Sequence, residues 1–311
     1  MAFFELYRGV ISGLLGALFF GSGSAVFRLV GEELDVISMN FLRSILGFLF
    51  FVIIALFIGD LATILTLSGY VLLMLAISII FNVVIGDTSY FRSQNLIGVS
   101  RAFPITNLTP LFTLFFAVIF LQELITPRIL SGVLLVVGGV YFIAQPREQE
   151  SIEPTQSSQS TNQNLRMKKI GLGLALLSAL CWTGGTLTLR VAMTADIGVI
   201  SANSLRFGFA ILFFGLISSS KKSGAKSIRN LRSLSRKTFQ IVLIATILNV
   251  MLGALFWVDS VKYAGASKSA TYIATSPLFA LPVAIKYVGE TISWKILIGT
   301  LMTIIGVYLV L

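Results

Sequence analysis

Ten apolar runs, each about as long as a membrane-spanning helix, constrain this chain more than any other feature. A helix needs roughly 20 apolar residues to cross the hydrocarbon core of a bilayer. With 56% hydrophobic and 12% charged residues, the chain falls well below the roughly 25% charged residues of a soluble domain. The sequence therefore predicts an all-α membrane protein with ten transmembrane helices. The predicted helices cover residues 9–28, 36–58, 68–91, 100–121, 128–145, 170–191, 199–219, 238–259, 266–288 and 293–311.

The two halves of the chain match each other. Residues 80–144 align without a gap on residues 247–311, and the earlier helices align at a slightly smaller offset. Apolar composition alone would align Leu with Leu, but it would not place polar and small residues in register. Internal duplication follows. The matched pairs include Asn82 with Asn249, Gly86 with Gly253, Gly98 with Gly265, Pro110 with Pro277, Glu123 with Glu290, Asn40 with Asn203, and Arg43 with Arg206.

The duplication divides the chain into two five-helix repeats, residues 1–145 and 170–311. Between them, residues 146–169 are polar and rich in Ser, Gln and Glu, without an apolar period. Such a composition is typical of a flexible linker. Because each repeat has an odd number of helices, the second must cross the membrane in the opposite direction to the first. Inverted repeats of this kind occur in secondary transporters, where the substrate binds near the midplane between the halves.

Three motifs occur once in each repeat. The second helix carries an Arg after small and apolar residues, the fourth helix carries a Pro followed by a Glu, and the fifth helix is rich in Gly. This pattern resembles the ten-helix EamA-type members of the drug/metabolite transporter superfamily, over nearly the whole chain except the linker. The motif positions are Arg43 and Arg206, residues 98–123 and 265–290, and residues 132–141 and 299–308.

The resemblance implies solute movement by alternating access, through a central cavity lined mainly by the first, third and fourth helices of each repeat. It does not imply one substrate, because members handle amino acids, nucleotide sugars, phosphorylated metabolites and toxic compounds. Four-helix relatives carry a membrane-embedded Glu in the first helix for proton coupling. This sequence has no acidic residue in 9–28 or 170–191, so that device is not expected here.

Basic residues predict the orientation in the membrane. Seven of the 23 Lys and Arg residues lie between 220 and 237, and that loop has no acidic residue. Short loops rich in Lys and Arg face the cytoplasm. We therefore expect loop 220–237 and linker 146–169 to be cytoplasmic, both termini to lie outside, and the protein to be a multi-pass protein of the plasma membrane.

Ten polar or aromatic side chains in or near the helices are candidates for the substrate site. A charge within the bilayer is costly, so it usually faces protein or water. A buried amide likewise needs a partner. Bracing between helices explains the Arg and Asn residues about as well as substrate binding does, and aromatic residues also gather at membrane interfaces. The candidates are Asn82, Asn249, Arg43, Arg206, Trp182, Arg101, Lys268, Tyr90, Trp257 and Asp87.

Asp87 is the acidic residue nearest to a helix interior, and its repeat counterpart is Ala254. It is a functional group that does not follow the repeat, the partner of nearby Arg92 in an ion pair, or a residue at an exposed helix end. Glu123 and Glu290 follow the fourth helix of each repeat. A carboxylate is favourable beside a helix N-terminus, so we expect these two residues to stabilise turns or nearby helix ends.

Composition also limits the chemistry. The sequence has no histidine and a single cysteine, Cys181, which removes the commonest metal ligand and proton shuttle. We expect no enzyme activity, metal or cofactor, and no nucleic-acid partner. The predicted function is secondary-active transport, as an exporter, of a small metabolite, an amino-acid-like solute or a toxic organic solute. Exchange of organic anions or phosphorylated metabolites is the alternative, and a channel or scaffold is a remote one. Monomer and homodimer both stay open.

Overall fold

The computed structural model describes residues 2–27, 34–58, 64, 66–143, 161–195, 197–219, 234–279 and 294–311, and these residues form helices without any β-strand. Seven of their helices are long and apolar enough to cross a membrane. Two further apolar helices have 17 residues each. Together with a ninth helix that is described only in its first part, they give the predicted all-α architecture of ten helices.

The helices are numbered here in chain order. In the first repeat they are α1 (Ala2–Phe27), α2 (Val36–Ile58), α3 (Gly69–Ile97), α4 (in two pieces, Val99–Thr106 and Thr109–Leu121) and α5 (Pro127–Ile143). In the second repeat they are α6 (Thr161–Ala192), α7 (Val199–Ser219), α8 (Arg236–Ala264), α9 (which begins with Ala266–Ile273) and α10 (Trp294–Val310).

Several helices extend beyond their apolar runs, so the predicted bounds are wrong there. Helix α1 begins at Ala2 instead of residue 9, and α3 ends at Ile97 instead of residue 91. Helix α6 begins at Thr161, so the last part of the predicted linker is helical. The reason is that a helix satisfies its own backbone hydrogen bonds and can continue outside the apolar layer. The rest of the predicted linker, residues 146–160, lies outside the described residues.

The third helix of each repeat contains a π-helical segment. It covers Ile80–Asp87 in α3 and Ile247–Gly253 in α8. The repeat alignment brings Asn82 and Asn249 to the same place, the third residue of each segment. Such π-segments disturb the regular backbone ladder and are frequent at functional sites. Each predicted amide therefore lies where the backbone is irregular.

The packing of the helices is reciprocal between the repeats. Helix α1 lies along α8, as α6 lies along α3, while α2 packs on α7 and α5 on α10. Gly23 of α1 contacts Asn249, and Gly185 of α6 contacts Asn82. A side chain at either glycine would overlap the asparagine, so both positions need the smallest residue. The exchange of first and third helices between the halves confirms two inverted five-helix repeats.

Candidate functional site

Arg43 is the centre of a buried polar cluster. It lies seven residues after the start of α2 and is 5% exposed. Its Nη1 donates a hydrogen bond to Oδ1 of Asn40 over 3.0 Å. Its Nη2 donates to Oδ1 of Asn249 over 3.0 Å and lies 3.5 Å from Oδ2 of Asp87. The guanidinium therefore connects α2 with α3 of its own repeat and with α8 of the other repeat.

Asp87 ends the π-segment of α3 and pairs with Arg43, not with Arg92 as one sequence interpretation proposed. Its other oxygen, Oδ1, accepts a hydrogen bond of 3.0 Å from Nε1 of Trp182 on α6. A carboxylate in this position needs such partners, because an unpaired charge in a protein interior is strongly unfavourable. The carboxylate thus joins a cation of α2 to an aromatic side chain of α6.

The two asparagines have different partners. Asn249 accepts from Arg43 and donates through Nδ2 to the carbonyl oxygen of Phe20 and to Oγ of Ser24, each over 3.3 Å. Asn82 donates through Nδ2 to the carbonyl oxygen of Ser78 over 3.0 Å. Asn82 therefore bonds its own helix, whereas Asn249 connects α8 with α1 and α2.

Trp182 and Tyr90 form the aromatic wall of this cluster. Their rings lie 5.1 Å apart at 58°. Besides Asp87, the indole Nε1 of Trp182 also reaches the backbone oxygen of Asn82, over 3.1 Å. That carbonyl belongs to the π-segment, so the irregular backbone contributes directly to the cluster. Trp182 was a candidate from the sequence, and the structure brings it against Asp87.

Arg206 is the counterpart of Arg43 but has different surroundings. It is 1% exposed, and its Nη1 donates to Oδ1 of Asn203 over 3.1 Å. The guanidinium lies 4.8 Å from the ring centre of Trp257, in reach of a cation–π interaction. Within the described part of the chain no acidic side chain forms an ion pair with it, although Asp87 acts on it electrostatically.

Both arginines keep an unused donor. The Nε atoms of Arg43 and Arg206 are buried and have no hydrogen-bond partner among the described residues. Buried donors without a partner are rare in native structures, and each calls for an explanation. An anionic or carbonyl group of a bound solute would satisfy them.

Arg101 and Lys268 are not part of this cluster. Arg101 is exposed near the start of α4. Lys268 lines a separate cavity of about 220 Å³ together with Glu123 and Arg190. In this region Glu123 accepts hydrogen bonds from the backbone N–H groups of Ala266 and Ser267, over 2.8 and 3.2 Å. The prediction that Glu123 stabilises a helix end is confirmed, whereas Glu290 lies outside the described residues.

A second buried carboxylate was missed in the sequence. Asp259 of α8 is 6% exposed. Its carboxylate accepts hydrogen bonds from Nη2 and Nε of Arg8 over 2.7 and 3.2 Å, and from Oγ of Ser12 over 2.6 Å. Arg8 was placed before the first apolar run, and Asp259 at the last residue of the eighth, so both seemed interfacial. The additional turns at the start of α1 and the end of α8 bring them together.

Charge, hydrogen bonding and aromatic surface are what this cluster offers to a ligand. No group of three or more metal-binding side chains occurs in the part of the chain that the structure describes. The cluster holds the Arg43 guanidinium, the Asp87 carboxylate, the side-chain amides of Asn40 and Asn249, and the tilted rings of Trp182 and Tyr90. Such a set can bind and orient a small polar organic molecule.

Comparison with known proteins agrees with the fold and the duplication. The EamA-like transporter family matches residues 7–145 and 169–311. An uncharacterized transporter of Archaeoglobus fulgidus is 24% identical over 305 residues, which covers 97% of both chains. A solved crystal structure superposes with a TM-score of 0.75 at 14% identity, and the match covers 97% of this chain and 95% of that chain. The structural match concerns the fold alone.

Proposed function

The chain belongs to the EamA-like transporter family, and from this premise we propose that it exports a small organic solute by secondary-active alternating access. Membership makes it a multi-pass membrane transporter. The solute we propose is a small metabolite, amino-acid-like molecule or toxic compound. The protein would lie in the plasma membrane with loop 220–237 in the cytoplasm, since that loop is rich in basic residues, and with linker 146–169 on the same side, since two helices separate the two segments.

The observation that carries this proposal is the position of Arg43 between two helix pairs. Its guanidinium reaches Asp87 on α3, which packs on α6, and Asn249 on α8, which packs on α1. Alternating access requires helix groups to move against each other around a fixed site. When the α3–α6 pair moves relative to the α1–α8 pair, the hydrogen bonds of Arg43 to Asp87 and to Asn249 must change, because they join the two pairs. A solute that takes over one of these bonds would couple its binding to the movement.

The chemistry of the cluster favours a zwitterionic solute. The free Nε donors of Arg43 and Arg206 suit a carboxylate. Asp87 suits an ammonium group, and the rings of Trp182 and Tyr90 suit an apolar or aromatic part. Each charge of the solute would then replace part of a charge pair that already exists, which limits the cost of removing it from water.

Exchange of organic anions is the second candidate. Among the described residues Arg43 pairs with Asp87 and Arg206 has no acidic ion-pair partner, so the two buried arginines and this carboxylate together carry a net positive charge. A doubly charged anion would balance this charge better than a zwitterion does. The two candidates therefore differ in which solute competes for Arg43 and Arg206.

Counterflow in proteoliposomes tests the proposal. Proteoliposomes that contain the purified protein are preloaded with unlabelled zwitterions or dicarboxylates and then offered the same solute in labelled form. We expect saturable uptake of the label, and we expect Arg43→Ala to abolish it. Arg128→Ala is the matched control, because Arg128 of α5 is exposed and contacts Tyr308 of α10. Uptake that rises linearly with solute concentration would indicate a channel. Anion uptake that survives both Arg43→Ala and Arg206→Ala would exclude an anion exchanger that binds its substrate through these two arginines.

A further inference from the structure

A second cavity lies where α1 begins and α8 ends. Its volume is about 540 Å³, within the range of cavities that hold small molecules. It lies outside the Arg43 cluster, because Asp259 on its wall is ten residues from Asn249, or roughly 15 Å along α8. The lining residues are Arg8, Ser12, Ile58, Gly198, Val199, Ile200, Leu255, Phe256, Asp259, Lys262 and Tyr263.

Asp259 gives this cavity its chemical character. The carboxylate is buried, and it accepts hydrogen bonds from the Arg8 guanidinium and the Ser12 hydroxyl. Its counterpart in the first repeat is Arg92, which is exposed. The carboxylate is therefore not part of the duplicated scaffold. A side chain that departs from the repeat and faces a cavity is a candidate for a specific role.

The Arg8 side chain can move away from Asp259. Half of its side chain is exposed, although Asp259 itself is buried. Its guanidinium lies 4.2 Å from the ring centre of Tyr263, an arrangement that a ligand cation could adopt equally well. Near the start of α1, a long Arg side chain can turn outward and keep its charge in water. The Asp259 carboxylate, the Ser12 hydroxyl and the Tyr263 ring would then be available to bind another cation.

We propose that this cavity binds an organic cation with a guanidinium or primary ammonium group, which replaces Arg8 on Asp259. An anion is disfavoured, because it would approach a carboxylate while both neighbouring cations are engaged. Arg8 binds Asp259 in bidentate fashion, and Nζ of Lys262 donates to the carbonyl oxygen of Ile197 over 2.7 Å. This site goes beyond the proposed function, since it shares no charged residue with the Arg43 cluster.

The position of the cavity fits a site on the way to the centre. Ile200 lines it, and Arg206 follows six residues later on α7, roughly 9 Å deeper along the helix. Phe256 also lines it, next in sequence to Trp257, on which Arg206 stacks. A cation held on Asp259 would thus lie between the end of the bundle that carries Arg8 and the buried arginines.

Binding of methylguanidinium to the full-length purified protein tests this site. Binding is measured in detergent by isothermal titration calorimetry and by thermal unfolding. The ionic strength is held constant, and sodium chloride replaces methylguanidinium chloride in the reference samples. We expect saturable binding to the unaltered protein. We expect at least about tenfold tighter binding to Arg8→Ala, because that variant lacks the intramolecular competitor. Asp259→Asn should abolish binding, and Lys262→Ala, which alters the same cavity without touching the carboxylate, should not.

Other outcomes overturn the proposal. Saturable binding of acetate instead of methylguanidinium would identify an anion site. Binding confined to Arg8→Ala would mean that Arg8 is a permanent structural partner. If Arg8→Ala does not fold, Arg8→Gln removes the same charge and gives the same comparison. Because the experiment measures methylguanidinium binding and not solute transport, its outcome is independent of transport through the central cluster.

Discussion

The two repeats share the order of their helices and the π-segment of the third helix but differ in charge. Each has a second-helix arginine and a π-segment with an asparagine at its third residue. In the first repeat Arg43 pairs with Asp87, whereas in the second the equivalent of Asp87 is Ala254 and Arg206 stacks on Trp257. The duplicated features support the fold, and the differences between the copies identify where a solute could be recognised. Charge asymmetry between repeats is therefore a better guide to this site than either repeat alone.

The largest expected effect separates the two arginines. Arg43→Ala should lower the free energy of unfolding by about 3–5 kcal/mol, because it leaves Asp87 as an uncompensated charge. Arg206→Ala leaves no unpaired carboxylate among the described residues, so its cost should be clearly smaller. Thermal unfolding of the purified variants in detergent measures the difference, with Arg128→Ala as the exposed control. Equal costs for the two buried arginines would contradict the asymmetry inferred from the contacts.

The scaffold was readable from the sequence because its signals are local or repeated. Apolar runs give the helices, and the aligned polar residues give the duplication. The ends of the helices were predicted least accurately, because hydropathy shows where the chain enters the apolar layer and not where the hydrogen-bonded helix ends. The start of α1 and the end of α8 were misplaced for this reason, and the Arg8–Asp259 pair was missed with them.

The site was only partly readable. Asp87 attracted attention because it breaks the repeat, but its partner could not be read from proximity in sequence. Arg92 is closer along the chain, yet Arg43 is the residue that reaches it in space. Arg101 and Lys268 looked equivalent to the other cations, and only the three-dimensional arrangement places Lys268 beside Glu123 and away from Arg43. Long-range pairing between helices is what a single sequence does not supply.

A smaller effect should follow from moving the carboxylate between repeats. Asp87→Asn removes the acidic group that pairs with Arg43 among the described residues, so transport should shift towards anions. We expect the ratio of anion to zwitterion counterflow to rise about tenfold, equivalent to 1.4 kcal/mol. Ala254→Asp adds a carboxylate at the equivalent position and should shift the ratio in the opposite direction. Changes in the same direction for both variants would show that position, and not charge, controls selectivity.

The smallest expected effect concerns a feature that the repeats should share. Glu123 binds two backbone N–H groups at the start of α9, so Glu123→Ala should cost about 1 kcal/mol of stability, the typical cost of losing a helix cap. Its counterpart Glu290 should serve the start of α4 in the same way, and Glu290→Ala should then cost a similar amount in thermal unfolding. Similar losses of stability at Glu123 and Glu290, together with unequal losses at Arg43 and Arg206, would show that the repeats share their scaffold and differ at the candidate site. A cost at Glu123 alone would mean that the copies have diverged in the scaffold as well.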